Sequence, residues 1–214
     1  MTKSTIYTIE REFGSGGHLV GEMLAKQLGI PFYDSQIVDL AAKRAGMSKK
    51  LFESLDEKPS SSLLYSFVVS AFAGNSPMTN ITDFNMSDKL FIEESKIIRE
   101  AAEEGPCVIV GRCASYILRE RKDVMHVFIT ADMDYRMGRA RLELPDIVSD
   151  SRLKDEIFKR DKKRSSYYNY YTGKQWDSAS CYDLTVSTSA VGNEGAVQTI
   201  LDYGTRMENK RTRL

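Results

Sequence analysis

The stretch Ile6-Tyr7-Thr8-Ile9-Glu10-Arg11-Glu12-Phe13-Gly14-Ser15-Gly16-Gly17-His18-Leu19-Val20-Gly21 constrains the chain more than any other. β-forming residues come first, then a glycine-rich turn, then apolar residues at helical spacing (Leu19, Met23, Leu24, Leu28). Strand, glycine loop and helix in that order build an anion cradle. Glycines let the backbone approach a phosphate, and the helix start presents N–H groups that have no intrahelical acceptor. The loop departs from two familiar phosphate-binding patterns. Gly17-His18-Leu19 stands where G-x-x-x-x-G-K-[ST] asks for glycine, lysine and a hydroxyl residue, and Gly14-Ser15-Gly16-Gly17-His18-Leu19 lacks the last glycine of G-x-G-x-x-G. On the loop alone, a tight strand-to-helix turn without a ligand is an equal reading.

The rest of the chain alternates strand and helix patterns. Phe32-Tyr33 reads as a short strand ending at Asp34, and Ser35 as the N-cap of a helix with Ile37, Val38, Leu40, Ala41 and Ala42 on its apolar side. Gly46 ends that helix and Ser48 starts another. Residues 59–85, rich in Ser, Asn and Phe, read as an inserted segment of helix and loop. Helical spacing returns over 87–104 with Leu90, Ile97, Ile98 and Ala101. Residues 107–111 and 124–130 are continuous apolar runs of the kind buried on both faces of a parallel sheet. His126, inside the second run, is expected to be a satisfied core residue. A charged helical region follows from Asp132 to about Tyr171, broken near Pro145, then a strand over 182–187 and a helix from about Glu194 to Met207. The tail from Arg206 to Leu214 is basic and expected to be solvated. Such alternation predicts one α/β domain, 1–214, with a doubly wound parallel sheet that binds ligands at the carboxyl ends of its strands.

Those strand ends carry candidate chemistry. Arg112 follows Gly111 directly, where a guanidinium can grip a phosphate through two parallel hydrogen bonds or pair with a neighbouring carboxylate. Arg136, Arg139 and Arg141 precede the run Lys159-Arg160-Asp161-Lys162-Lys163-Arg164, and within each set the members three or four apart share a helix face. Clustered guanidinium groups suit phosphoryl transfer, although each residue taken singly is better read as part of a solvated face. Tyr167, Tyr168, Tyr170, Tyr171 and Trp176 come next. They could stack bases of a single strand, but tyrosines at this spacing more often pack a helix against the body.

Composition removes other classes. Lys+Arg and Asp+Glu are both 30, so the chain has no overall basic field, which argues against nucleic acid as a partner. Three cysteines without C-x-x-C spacing and two histidines give neither a disulfide framework nor a histidine metal site. No secretory h-region opens the chain, and its longest apolar stretch, 63–74, is too short to span a bilayer. A cytoplasmic protein without membrane contact is the expectation.

Four segments together resemble the cytidylate kinase-like family: 10–17, Pro31-Phe32-Tyr33-Asp34, Val110-Gly111-Arg112-Cys113-Ala114, and Tyr167-Tyr168-Asn169-Tyr170-Tyr171-Thr172-Gly173-Lys174-Gln175-Trp176. The resemblance covers nearly the whole chain. It implies a three-layer α/β/α P-loop fold with a five-stranded parallel sheet, a helical acceptor-side insertion at 59–85 and a lid at 146–176. It also implies ATP as donor, with Mg2+, and a (d)CMP-like nucleoside monophosphate as acceptor. Gly14, Ser15, Gly16, Gly17 and His18 would hold the donor phosphates. Asp34, Ser35, Arg112, Arg139 and Asp161 would bind substrate, and His18, Arg112, Arg160 and Arg164 would act in transfer. Only Ser15 and scattered carboxylates suggest themselves for the metal. Against the pattern of cytidylate kinases, the loop lysine and hydroxyl are missing, Leu40 stands in place of an arginine, and Cys113 in place of an aspartate. Nucleotides are the implied partners, a homodimer is compatible with the chain, and the alternative function is a weak or inactive nucleotide sensor that kept the kinase fold.

Overall fold

β1 (Ile6–Arg11) is the middle strand of a parallel sheet. The computed structural model describes residues 5–46 and 86–211. Within them the strand order is β2-β3-β1-β4-β5, with β2 at Phe32–Tyr33, β3 at Val108–Val110, β4 at Val124–Thr130 and β5 at Leu184–Ser187. All four pairings are parallel, and Tyr7 sits opposite Val108 on one side and Met125 on the other. The helices are α1 (Gly17–Leu28), α2 (Ser35–Arg44), α3 (Met86–Glu104), α4 (Ala114–Ile117), α5 (Met133–Glu143), α6 (Asp150–Thr172) and α7 (Thr188–Arg211). The expected three-layer arrangement is present. The helix expected from Ser48 and the insertion 59–85 lie outside the described residues.

Side chains alternate across a strand, so each strand feeds two cores. Tyr7, Ile9, Val108, Val110, Met125, Val127 and Ile129 pack with α1 and α7. Ile6, Ile109, Val124 and Phe128 pack with α2, α3, α4 and the end of α6. Both faces are covered, which is why the apolar runs were continuous. On the second face Tyr167 donates to Glu94 Oε2 at 2.7 Å and Tyr171 to Asp88 Oδ1 at 3.1 Å, while the Phe91 and Tyr171 rings stack at 4.0 Å. Burial raises both phenols well above their ordinary pKa, so they stay O–H donors. Tyr167, Tyr168, Tyr171 and Trp176 are thus core residues that anchor α6, as the packing reading had it, and stacking of bases is closed to them. The expected lid segment is accordingly fixed to the body from Tyr167 onward.

Other details differ from the pattern. Asp34, not Ser35, occupies the N-cap of α2, and its carboxylate makes no capping bond because it is turned to His18 and Arg11. Leu40 is 41% exposed, since α2 buries only the narrower stripe Ile37, Val38, Ala41 and Ala42. The last helix begins directly after β5 at Thr188, whose buried hydroxyl donates to Ser15 O at 2.6 Å, and it kinks at Gly192. The last strand is shorter than expected, starting at Leu184. His126 is half-buried, with Nδ1 2.8 Å from Thr8 Oγ1, in keeping with a satisfied histidine. Cys107, Cys113 and Cys181 are unbridged, and burial pushes the Cys107 thiol up to about 12, leaving it protonated and inert. Among the described residues no helix is long and apolar enough to cross a membrane.

Candidate functional site

The glycine loop between β1 and α1 is shaped by Gly14 (φ 79°) and Gly16 (φ 81°), both left-handed. A Cβ at Gly14 would lie 2.6 Å from the Arg136 carbonyl oxygen, and one at Gly16 would lie 2.7 Å from Asn193 Oδ1. Gly14→Ala is therefore expected to destabilise by about 2 kcal/mol, because the left-handed backbone is strained for alanine and the obstacle is main chain; urea denaturation measures it. Ser15 is fully buried and donates its hydroxyl to Glu12 O at 2.8 Å, so it braces the loop from beneath. Glu12 in turn accepts from Thr130 Oγ1 at 2.5 Å and Ala131 N at 3.1 Å, pinning the loop to the end of β4.

Gly16 is the N-cap of α1, without a side-chain cap, and the first turn carries no acidic residue. The unpaired N–H groups and the positive end of the helix dipole are left for an anion. A lysine-bearing loop places its lysine directly after the last loop glycine. The helix here opens on Gly17, followed by His18, so its first position carries no cationic side chain.

A cleft of about 330 Å³, open to solvent, runs over this loop. Of the expected site residues it gathers Gly14, Gly16, Gly17, His18, Asp34, Arg139, Arg160 and Arg164. His18 Nδ1 lies 2.7 Å from Asp34 Oδ2, so the imidazole is turned toward the acceptor-side carboxylate. Arg160 stacks on the Phe13 ring at 4.4 Å and bonds Glu156 at 3.1 Å; Arg164 donates to Arg11 O at 3.2 Å. Arg112 lies beside a narrow adjoining crevice of about 10 Å³, with Glu10 and Cys113, and faces the fully buried Glu94 at 3.5 Å. Arg11 and Arg164 line both spaces. Ser35 and Asp161 line neither. Asp161 instead accepts from Phe13 N at 2.7 Å and pairs with Arg136, clasping α6 to the loop.

Two residues in this site had not been singled out. Arg11 ends β1; its stem crosses the face of Gly17, its guanidinium lies against Gly111, and Nη2 is 3.8 Å from Asp34 Oδ1. Its place just upstream of the glycines was the available signal. Asn193 follows the Gly192 kink, and the Gly192-Asn193 pair shortly after the last strand was the corresponding hint. Asn193 Oδ1 and Arg139 Nε are buried beside Gly16, and neither has a hydrogen-bond partner among the described residues. Buried polar atoms are normally paired, so this acceptor and donor mark the loop's flank as a ligand surface. Among the described residues no three His, Cys, Asp or Glu side chains are grouped so as to hold a metal ion.

A parallel sheet of this order, sending a glycine loop from its central strand into an uncapped helix start, defines a P-loop kinase fold. Shikimate kinase from Bacteroides thetaiotaomicron shares it (TM-score 0.52, 16% identity, 92% of this chain and 96% of that one). So does a gluconokinase from Sinorhizobium meliloti 1021 (TM-score 0.52, 14% identity, 99% and 98%). An uncharacterized protein from Eubacterium ventriosum ATCC 27560 is more similar, with TM-score 0.68, 26% identity and coverage of 94% and 98%. No curated protein matches the chain. The cytidylate kinase-like family matches residues 6–190, and the chain belongs to that family. A kinase-type, nucleotide-binding function follows from that membership.

Proposed function

We propose that the protein transfers the γ-phosphoryl group of ATP to a (d)CMP-like nucleoside monophosphate. The observation that carries this reading is the pair of adjoining arginine-lined spaces sharing Arg11 and Arg164. One suits a donor triphosphate over the loop, and Arg112, beside the narrower one, would take the acceptor phosphate. The loop N–H groups would hold the donor's phosphates, Arg160 and Arg164 would close over them, and Arg139 with Asn193 would satisfy polar atoms of the donor nucleotide. Asp34 would orient the acceptor.

An oxygen of the acceptor's phosphate attacks the γ-phosphorus while the bond to the β–γ bridging oxygen breaks. ADP leaves with that electron pair, and the acceptor becomes a diphosphate. The acceptor is already an anion, so no general base is needed, and positioning with charge neutralisation supplies most of the catalysis. Magnesium usually binds through nucleotide phosphates and one or two carboxylates. Glu12 is committed to β4 and Arg136, and Asp34 to His18 and Arg11, so Glu143 is the cleft carboxylate that would hold it beside the nucleotide's phosphates, and its charge would neutralise the transferring group.

A coupled ADP-release assay with ATP, magnesium and a panel of nucleoside monophosphates tests the reading. Turnover with a cytidine monophosphate above the purine nucleotides is expected. Saturable ATP binding without turnover on any acceptor would leave the sensor; absence of both would leave the family reading as one of fold only.

A further inference from the structure

We propose that Arg11 supplies, from the end of β1, the cation that a lysine supplies at the start of the helix in lysine-bearing phosphate loops. The inference rests on the kinase reading above and deepens it. Gly17 is the first residue of α1, and its backbone is not among those with positive φ, so conformation does not demand glycine there. Space does. A Cβ on Gly17 would run into Arg11 Cβ and come within 2.9 Å of Arg11 Cγ. The arginine's stem thus fills the volume that a side chain at 17 would need, and it delivers its head to the same part of the cleft.

That head is well placed for a transferring phosphate. Nη1 lies where a Cβ on Gly111 would project, beside the turn that carries Arg112. Arg11 lines both the donor cleft and the narrow crevice beside Arg112, and its side chain is 14% exposed. Asp34, at 3.8 Å, is too far from Nη2 for a direct hydrogen bond, so the fork is not saturated by that pair. No lysine lines either space among the described residues, and His18 is engaged with Asp34. A planar guanidinium reaching into the donor cleft can grip the terminal phosphates of the donor through two parallel bonds.

The test measures ATP and AMP affinity by calorimetry with magnesium, and thermal melting, for the wild type and five variants, Arg11→Ala among them as the reference for the double change. Arg11→Met keeps much of the stem and should weaken ATP about 10- to 100-fold, the range of a charged hydrogen bond, with AMP changed less than about threefold. Arg11→Lys should lose less. Gly17→Lys alone should melt lower and bind ATP poorly, because two stems then compete for one space. Arg11→Ala combined with Gly17→Lys should melt near the wild type and recover ATP affinity to within about tenfold of it.

An unchanged ATP-to-AMP ratio in Arg11→Met overturns the proposal. So does a double variant that binds ATP no better than Arg11→Ala. A merely structural Arg11 would lower both affinities together and would not be rescued by a lysine from the other side of the contact. Failure of the wild type to bind ATP at all is a different result: it removes the kinase reading, and this proposal with it.

Discussion

Replacing Arg136 by methionine is expected to cost about 3–5 kcal/mol of stability, the usual penalty for removing one partner of a buried ion pair. The residue is 4% exposed and serves three elements at once. Nε donates to Phe13 O at 2.8 Å, Nη1 lies 3.3 Å from Glu12, and Nη2 holds the Asp161 carboxylate. Methionine fills much of the volume but leaves the mostly buried Asp161 carboxylate with the Phe13 N–H and the charge of Arg164 alone. Melting should fall by roughly 6–20 °C for a chain of this size.

The deficit should also depend on pH in a definite direction. Burial already pushes the Asp161 carboxyl up, against the pull of Phe13 N–H and Arg136. With the arginine gone, the folded state binds that proton more tightly than the unfolded chain does. The variant's deficit is then largest above the raised pKa and shrinks as pH falls through it. Urea titrations at pH 7 and pH 5 check both points. A deficit below about 1 kcal/mol, or one that grows toward acid, would mean that the clasp carries little of the fold.

Arg112→Ala should lower turnover by about 10²–10³-fold, the loss typical of one donor that stabilises transition-state charge. Arg112→Lys should recover only part, since an ammonium is a point charge and cannot present the parallel fork. The backbone gives a separate handle. Gly111 (φ 76°), Arg112 (φ 56°) and Cys113 (φ 56°) are left-handed in succession, which costs each non-glycine residue about 1 kcal/mol. That strain aims the guanidinium toward the narrow crevice. Arg112→Gly should consequently be about 1 kcal/mol more stable than Arg112→Ala while turning over no faster. Steady-state ADP release and denaturation on the same preparations separate the two effects. Turnover within threefold of wild type in either variant would remove Arg112 from the reaction.

The sheet was legible in the sequence because its strands are buried on both sides, so that 107–111 and 124–130 read as apolar runs with no competing period. The glycine loop was legible because left-handed turns need glycine. What the sequence did not show depends on contacts across long separations. Ser35 looks a better cap than Asp34 locally, yet Asp34 is drawn off by His18 on another helix. Asp161 looked like part of a charged face, and it is mostly withdrawn from solvent because Arg136 and Phe13 N–H await it 25 and 148 residues away. Gly192 hides the true start of α7, since a kinked helix interrupts the apolar period. Arg11 was passed over because its role is defined by the emptiness of Gly17, which a residue-by-residue reading counts as a missing lysine.

The steric exclusion between Arg11 and Gly17 also fixes how this loop and a lysine loop are connected as sequences. Starting from lysine at 17, bringing in the arginine first places two stems in one volume. Giving up the lysine first leaves the cleft without either charge. Every single step between the two forms passes through an impaired protein, so the exchange is a coupled one, and the two kinds of loop stand as separate solutions to the same electrostatic need.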